Sequence, residues 1–139
     1  MSLSLYGNSL SRLALASGAR TNGTATGLPI DMNQFNNGFR AVMFIVTTGV
    51  MTDGSVACSV EESSVSGSGY AAVADASWRV TGTPPTVALT DDDTVFVFGV
   101  RPTKQFVHIV AVTSGATTGG IFSAVAVLHH GSFGPVNRS

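Results

Sequence analysis

The sequence predicts an all-β protein, an antiparallel β-sandwich or jelly roll of about seven to eight strands that follows an extended N-terminal segment. Two observations predict this class. Short segments rich in β-branched and aromatic residues recur along the chain, and Gly, Pro, Asn and Asp turn signals separate them. No segment has the periodicity of a long helix. A chain of 139 residues, 44% of them hydrophobic, is long enough for one domain with its own core.

The strands of the predicted sandwich domain begin after residue 36. Residues 39–51, FRAVMFIVTTGVM, read as a strand, and the following Asp53-Gly54 is a strong hairpin signal. Residues 55–63, SVACSVEES, alternate as a half-buried strand does, with Val56, Cys58 and Val60 on one face. The SVSGSG segment that follows predicts a loop.

The middle of the chain is less clearly patterned. Residues 70–80, YAAVADASWRV, fit either a short helix or a strand. Pro84-Pro85 blocks a helix and limits residues 86–90, TVALT, to a short or edge strand.

The C-terminal half predicts three further strands, at residues 94–100, 105–113 and 121–130. The glycine-rich segment between the last two predicts a hairpin that pairs Thr113 with Gly120. In that register His108 lies opposite Val125, which leaves it roughly 13 Å from His129 along the ladder.

Several of these strands are apolar on both faces. Val42, Phe44 and Val46 alternate with Ala41, Met43 and Ile45, and Val95 and Val97 alternate with Phe96 and Phe98. An antiparallel sheet with two apolar faces needs cover on both. We expect the sandwich interior to cover one face and a neighbouring subunit to cover the other.

The N-terminal third has a different character from the rest. Residues 1–35 contain a stretch rich in Gly, Asn and Thr, and the predicted division is an N-terminal arm or extended segment at 1–35 and a β-sandwich domain at 36–139. A flexible tail and an extended arm lying on a partner are both open from the sequence. No basic region precedes the first apolar residues, so no signal peptide is predicted.

The charge content narrows the classes of function. Only 11% of the residues are charged and the net charge is −1, against about 25% charged residues in ordinary soluble domains. We therefore expect other protein to cover much of the surface. The scattered positions of the seven basic residues argue against nucleic acid as a partner. No apolar run is long enough for a transmembrane helix. A single cysteine, Cys58, excludes an intrachain disulfide.

No catalytic, cofactor or metal site is predicted. His129 and His130 are adjacent on a strand and point to opposite faces. Asp91, Asp92 and Asp93 lack the glycine and glutamate spacing of a calcium loop, so a solvated turn that precedes a strand is the favoured interpretation. Glu61 and Glu62 also point to opposite faces, which excludes a positioned acid/base pair.

Three segments resemble a known family. In order they are TDGSVACSVEES, DDDTVFVFGVRPTKQFVHIVAV and SGATTGGIFSAVAVLHH with Pro135 after it. Together they resemble the decoration proteins, also called cement or head-stabilisation proteins, of tailed bacteriophages. The resemblance covers about residues 40 to 136. In the family an Asp-Gly turn and a Trp follow the Glu-Ser strand, whereas this chain has Tyr70 near that place and Trp78 later. The N-terminal third matches no part of the family.

The resemblance implies a non-enzymatic virion protein that binds the outside of the major capsid protein lattice and is made in the host bacterial cytoplasm. The expected partners are the major capsid protein and further copies of the chain, with a trimer as one closed form. The residues expected at partner contacts are Asp91, Asp92, Asp93, Arg101, Lys104, His129 and His130. The alternatives are a tail or neck component and a carbohydrate-binding module that uses Tyr70 or Trp78, with an enzyme as the weakest.

Overall fold

The computed structural model of the chain describes residues 5–73, 79–81, 86–87 and 91–129. These residues are mostly antiparallel β-structure in two sheets, which confirms the predicted all-β class and its sandwich-like arrangement. Within them, helical structure is limited to one turn, α1 (Leu5–Asn8), and a 3₁₀ turn at Gln34–Asn36.

Eleven strands lie within the described residues. In chain order they are β1 (Leu10–Arg20), β2 (Gly23–Thr26), β3 (Ile30–Asp31), β4 (Ala41–Met51), β5 (Ser55–Ser63), β6 (Ala71–Ala72), β7 (Arg79–Thr81), β8 (Thr86–Val87), β9 (Val95–Val100), β10 (Phe106–Ser114) and β11 (Gly120–His129). The five-stranded sheet has the order β1-β11-β4-β9-β7. The six-stranded sheet has the order β2-β10-β5-β6, with β3 also pairing with β10 and β8 with β5.

The two hairpins predicted from the sequence are wrong. β4 belongs to the five-stranded sheet and β5 to the six-stranded sheet, so the chain crosses between sheets at Asp53-Gly54. β10 pairs with β5 and β2, whereas β11 pairs with β1 and β4, so the expected register of Thr113 with Gly120 does not form. The turn chemistry was identified correctly, but each turn joins two layers instead of two neighbouring strands.

The side chain of Asp53 holds these two crossings together. Its carboxylate accepts backbone N–H bonds from Gly119 at 2.6 Å, Thr117 at 2.9 Å and Thr118 at 3.1 Å. These bonds, that of Gly119 first, lower the pKa of Asp53, because they favour the ionised form. The β4–β5 turn and the β10–β11 loop are therefore fastened to one another at one end of the sandwich.

The core lies between the sheets and is almost wholly aliphatic and aromatic. Phe44 and Phe98 are buried and stack with their ring centroids 5.5 Å apart. From the opposite sheet, Val107 and Ile109 pack into the same core cluster. Cys58 is buried with Val56 and Val60, as predicted, and burial raises the pKa of its thiol to about 11.

The N-terminal segment is part of both sheets. β1 pairs with β11, and β2 and β3 pair with β10. Gly27 donates its N–H to the carbonyl of Ile109 at 2.7 Å, and the next residue, Leu28, donates to Ala14 at 2.8 Å, which ties the segment to strands of both layers. The flexible-tail alternative therefore does not hold for residues 10–31.

The described residues in the middle of the chain form short strands. The segment that fitted either a helix or a strand supplies β6 and β7, while its residues 74–78 lie outside the described residues. Thr86–Val87 forms the short strand expected after the two prolines, and it pairs with β5.

Candidate interaction surface

The outer face of the five-stranded sheet carries a continuous row of apolar side chains. Leu13 on β1 lies opposite Val125 on β11, and Val125 lies opposite Ile45 on β4. Ile45 in turn lies opposite Val97 on β9. Since directly opposed side chains in an antiparallel sheet are about 5 Å apart, these four residues form one unbroken row across four strands.

Parallel rows extend this surface along the strands. Val127 lies opposite Met43 on one side of the row. On the other side Thr47 lies between Ser123 and Val95, and the hydroxyls of Thr47 and Ser123 share a hydrogen bond of 2.8 Å. We call this surface the apolar face and define it by Leu13, Met43, Ile45, Thr47, Val95, Val97, Ser123, Val125 and Val127.

The apolar face is open to solvent at its margins. Val95 and Val97 are 59% and 54% exposed and Leu13 is 50% exposed, whereas the inward-facing neighbour Phe98 is 1% exposed. None of the residues that define the face carries a formal charge. Contiguous apolar surface of this kind on a folded domain marks a site of contact with another molecule.

The outer face of the six-stranded sheet is chemically different. On β5 its residues are small or polar, with Ser55, Ala57 and Ser59 alternating with the buried valines and cysteine. Thr24 and Thr26 of β2 are exposed and face Val112 and Val110 of β10. The outer face of this sheet therefore mixes small and polar side chains on β5 and β2 with valines on β10.

A buried histidine lies on this second face. His108 is 6% exposed, and its Nε2 shares a hydrogen bond of 2.7 Å with the Oε1 of Glu61. The ring of Tyr70 stacks on the imidazole with the centroids 3.8 Å apart, and its hydroxyl donates to the carbonyl of Ser66 at 2.9 Å. The contacts satisfy His108 and hold the loop between β5 and β6 against the sheet.

Glu62 points away from Glu61, as the strand alternation predicts. Its carboxylate accepts the backbone N–H and the hydroxyl of Thr103, both at 2.8 Å, so it anchors the loop between β9 and β10. The two glutamates have separate structural partners.

Asp91, Asp92 and Asp93 form the predicted turn before β9. Asp92 accepts the backbone N–H of Met51 at 2.6 Å, and the carbonyl of Asp91 accepts the hydroxyl of Thr48. Asp93 adopts a positive φ of 47°. The turn therefore caps the end of β4 and the start of β9, and the side chains of Asp92 and Asp93 remain exposed.

The basic residues predicted at partner contacts lie at the opposite end of the sandwich. Arg101 and Lys104 are exposed in the loop after β9, and Lys104 borders a shallow groove of about 350 Å³. His129 is half-buried opposite Ala41 at the end of β11. β9 is six residues long, so about 20 Å separates the acidic end from the basic end. His130 lies outside the described residues.

The histidines that could be placed are far from sharing a ligand. His108 is on β10 of one sheet and His129 is on β11 of the other, so the hairpin register from which their separation was predicted does not form. Across residues 5–73 and 91–129, no three His, Cys, Asp or Glu side chains group as metal ligands would. No helix in the described part of the chain is long and apolar enough to cross a membrane.

Of the two residues named for glycan binding, Tyr70 lies in the described part of the chain. One face of the Tyr70 ring is covered by His108, which removes half of the stacking surface that a sugar would use. Trp78 lies outside the described residues.

Sequence reasoning found part of this surface and missed part. The two-faced patterns of β4 and β9 predicted apolar residues that need a second cover, and the structure places them on the apolar face. The contribution of Leu13 was missed because the N-terminal segment was not read as a strand. Its signal is the alternation of Ser11 and Leu13 with the inward Leu10 and Ala14.

No protein-family model matches the chain, and neither a curated protein nor a solved structure is significantly similar to it.

Proposed function

We propose that this chain is a non-enzymatic structural protein of a tailed-phage virion, which decorates the outside of the capsid and stabilises it. The observation that carries the proposal is the apolar face, an uncharged sheet surface on a chain with only 11% charged residues. Such a surface is suited to permanent contact with protein. The three sequence segments that resemble decoration proteins point to the same role.

A jelly-roll topology is part of this proposal. Its support is the path of eight of the eleven strands, which fall into two groups of four with the orders β1-β11-β4-β9 and β2-β10-β5-β6, while the short β3, β7 and β8 lie outside this pattern. Consecutive strands of this set mostly alternate between the two sheets, as they do in a jelly roll. Jelly rolls are frequent in viral capsid proteins.

The physical role of a decoration protein is to add contacts between shell subunits. Each added interface contributes its own free energy of binding, so rupture of the shell must break more contact area. Contacts made through uncharged apolar surface weaken little as the ionic strength rises, because there are few charges to screen. The Asp91–Asp93 turn and the Arg101 and Lys104 loop lie at opposite ends of the sandwich and would meet separate regions of the lattice.

The direct test adds the purified protein to capsids that lack it. Capsids saturated with the protein are expected to resist a higher temperature, or more chelator, before they release DNA. The matched comparison is between Val97→Lys on the apolar face and Val65→Lys on the loop after β5, whose side chains are 54% and 57% exposed. Protection should survive the second change and fall with the first. Unchanged capsid resistance at saturating wild-type protein would refute the proposed function.

A further inference from the structure

We propose that the cavity beside the turn from β1 to β2 is a binding site for a small oxyanion, a phosphate or carboxylate group, which the guanidinium of Arg20 holds. The cavity has a volume of about 220 Å³, and Thr113 of β10 forms part of its wall. It lies where edge strands of the two sheets meet, because β1 ends one sheet and β2 the other. The inference does not depend on the proposed function.

Arg20 carries a positive charge that no described carboxylate pairs with. Its Nη2 donates to the carbonyl of Ala16 at 2.6 Å, and its Cζ lies 5.5 Å from the centroid of the Phe122 ring. Its Nε is buried and has no hydrogen-bond partner. Removing a charged group from water costs free energy unless an acceptor of opposite charge replaces the water. The unpaired guanidinium therefore indicates an anionic partner.

The rest of the cavity wall supplies neutral donors and no acidic side chain. The uncharged polar side chains that line it are those of Thr21, Asn22, Thr24 and Thr113. Thr113 is 4% exposed, and its hydroxyl bonds with no other described residue. Asn22 accepts the backbone N–H of Ala116 on its Oδ1 at 2.8 Å, which leaves the two N–H donors of its amide. A guanidinium together with hydroxyl and amide donors suits a phosphate or carboxylate group.

The residues around the cavity are held in place by neighbouring segments. A Cβ on Gly119 would overlap the carbonyl of Arg20, so the β10–β11 loop lies directly against the end of β1. Asn22 is bonded to the same loop. Across the cavity, Thr113 lies opposite Gly23 in the ladder of β10 with β2. Donors that are fixed before a ligand arrives lose little conformational freedom on binding, which favours affinity.

The size of the cavity selects a small ligand. Its volume of about 220 Å³ is below the about 300–1,000 Å³ of sites for drug-sized molecules, and it far exceeds the about 10–15 Å³ that one water needs. It therefore suits a single phosphate or carboxylate group with some of its hydration water. The carboxylate of Asp53, at the same end of the sandwich, is already engaged by backbone N–H groups of the β10–β11 loop.

The test is an NMR titration of the ¹⁵N-labelled full chain with sodium phosphate and, separately, sodium acetate, with sodium chloride at the same ionic strength and pH as the reference. The Nε–H signal of Arg20 and the backbone amides of residues 21–24 should shift and saturate with phosphate, acetate or both, and the anion that saturates first identifies the group. Arg20→Gln should raise the dissociation constant by at least about 10-fold, because it removes charge-assisted hydrogen bonds. Arg101→Gln changes the net charge equally at an exposed position and should bind as the wild type does.

A second variant tests the site even if Arg20→Gln fails to fold. Thr113→Val removes the hydroxyl and keeps the branched shape, so it should weaken binding by about 2- to 10-fold. The site would be overturned if neither anion gave a saturable shift at these signals. It would also be overturned if Thr113→Val bound as tightly as the wild type, or if Arg101→Gln weakened binding as much as Arg20→Gln does.

Discussion

Replacement of Phe98 by alanine tests whether the stacked aromatic pair is the centre of the sandwich. Phe98 is 1% exposed and its ring stacks on Phe44, which is fully buried. Removing a buried phenyl ring costs about 3–5 kcal/mol of unfolding free energy, since the cavity adds to the lost transfer free energy. About 1 kcal/mol of this belongs to the contact between the rings. The loss is a large share of the about 5–15 kcal/mol that stabilises a typical domain.

Urea unfolding followed by far-UV circular dichroism measures this loss. All variants are compared at one protein concentration, because association stabilises the folded state. The midpoint should fall sharply for Phe98→Ala with little change in slope, and Phe98→Leu should fall less. Val65→Ala, at an exposed loop position, is the control and should change stability by under about 0.5 kcal/mol. If Phe98→Ala cost less than about 1 kcal/mol, the buried stack and the core built around it would be refuted.

Three further predictions concern the crossings and the core. Asp53 has a lowered pKa, so its contribution to stability is present above the ordinary value of 3.8 and is lost as the pH falls through the lowered value. The melting temperatures of Asp53→Asn and wild type should therefore differ at pH 6 and converge in acid. Parallel pH profiles of the two proteins would contradict the bonds from Asp53 to the loop. The Cys58 thiol, with a pKa of about 11 and 8% exposure, should resist a thiol reagent at pH 8 until the protein is unfolded, and rapid labelling of the native protein would refute its burial. Gly119 and Gly115 both have positive φ, but a Cβ on Gly119 would meet the carbonyl of Arg20, whereas one on Gly115 meets nothing within 4 Å. In urea unfolding, Gly119→Ala should therefore lower the free energy of unfolding by clearly more than the about 1 kcal/mol expected for Gly115→Ala. Equal losses of stability would contradict the close approach of Gly119 to Arg20.

The strands themselves could be predicted from the sequence because each satisfies a local rule. The alternation through Val56, Cys58 and Val60 placed β5 with one buried face, and the structure buries those three residues. The apolar residues on both sides of β4 and β9 predicted two covered faces. In β9 the structure separates them into the buried Phe98 and the exposed Val95 and Val97, which lie on the apolar face.

The pairing of strands could not be predicted because turn chemistry does not state which strands a turn joins. Asp53-Gly54 satisfies the rule for a hairpin, and Gly54 does have a positive φ of 83°. Here the same conformation turns the chain from one sheet into the other. The bonds from Asp53 to the loop at residues 117–119 span more than 60 positions, and no local pattern indicates them.

The histidine on the second face shows the same limit. His108 and Glu61 are 47 residues apart in sequence and become neighbours only through the register of β10 with β5. The sequence identified both residues, but it gave no reason to place them together. The electrostatic contacts therefore depend on the register of strands that are distant in sequence, whereas the strands themselves follow from local periodicity.

The position of β11 between β1 and β4 constrains the order of folding. Both of its neighbours precede it in the chain by at least 69 residues, as the pairing of Gly120 with Met51 shows. During synthesis β1 and β4 emerge first and must wait for β11 to fill the gap between them, and such distant pairings form slowly. The row from Leu13 to Val97 cannot exist before that strand is inserted. Until β11 is inserted, the edges of β1 and β4 that it will occupy are unpaired, and unpaired strand edges are the part of a nascent chain most prone to pair with other chains.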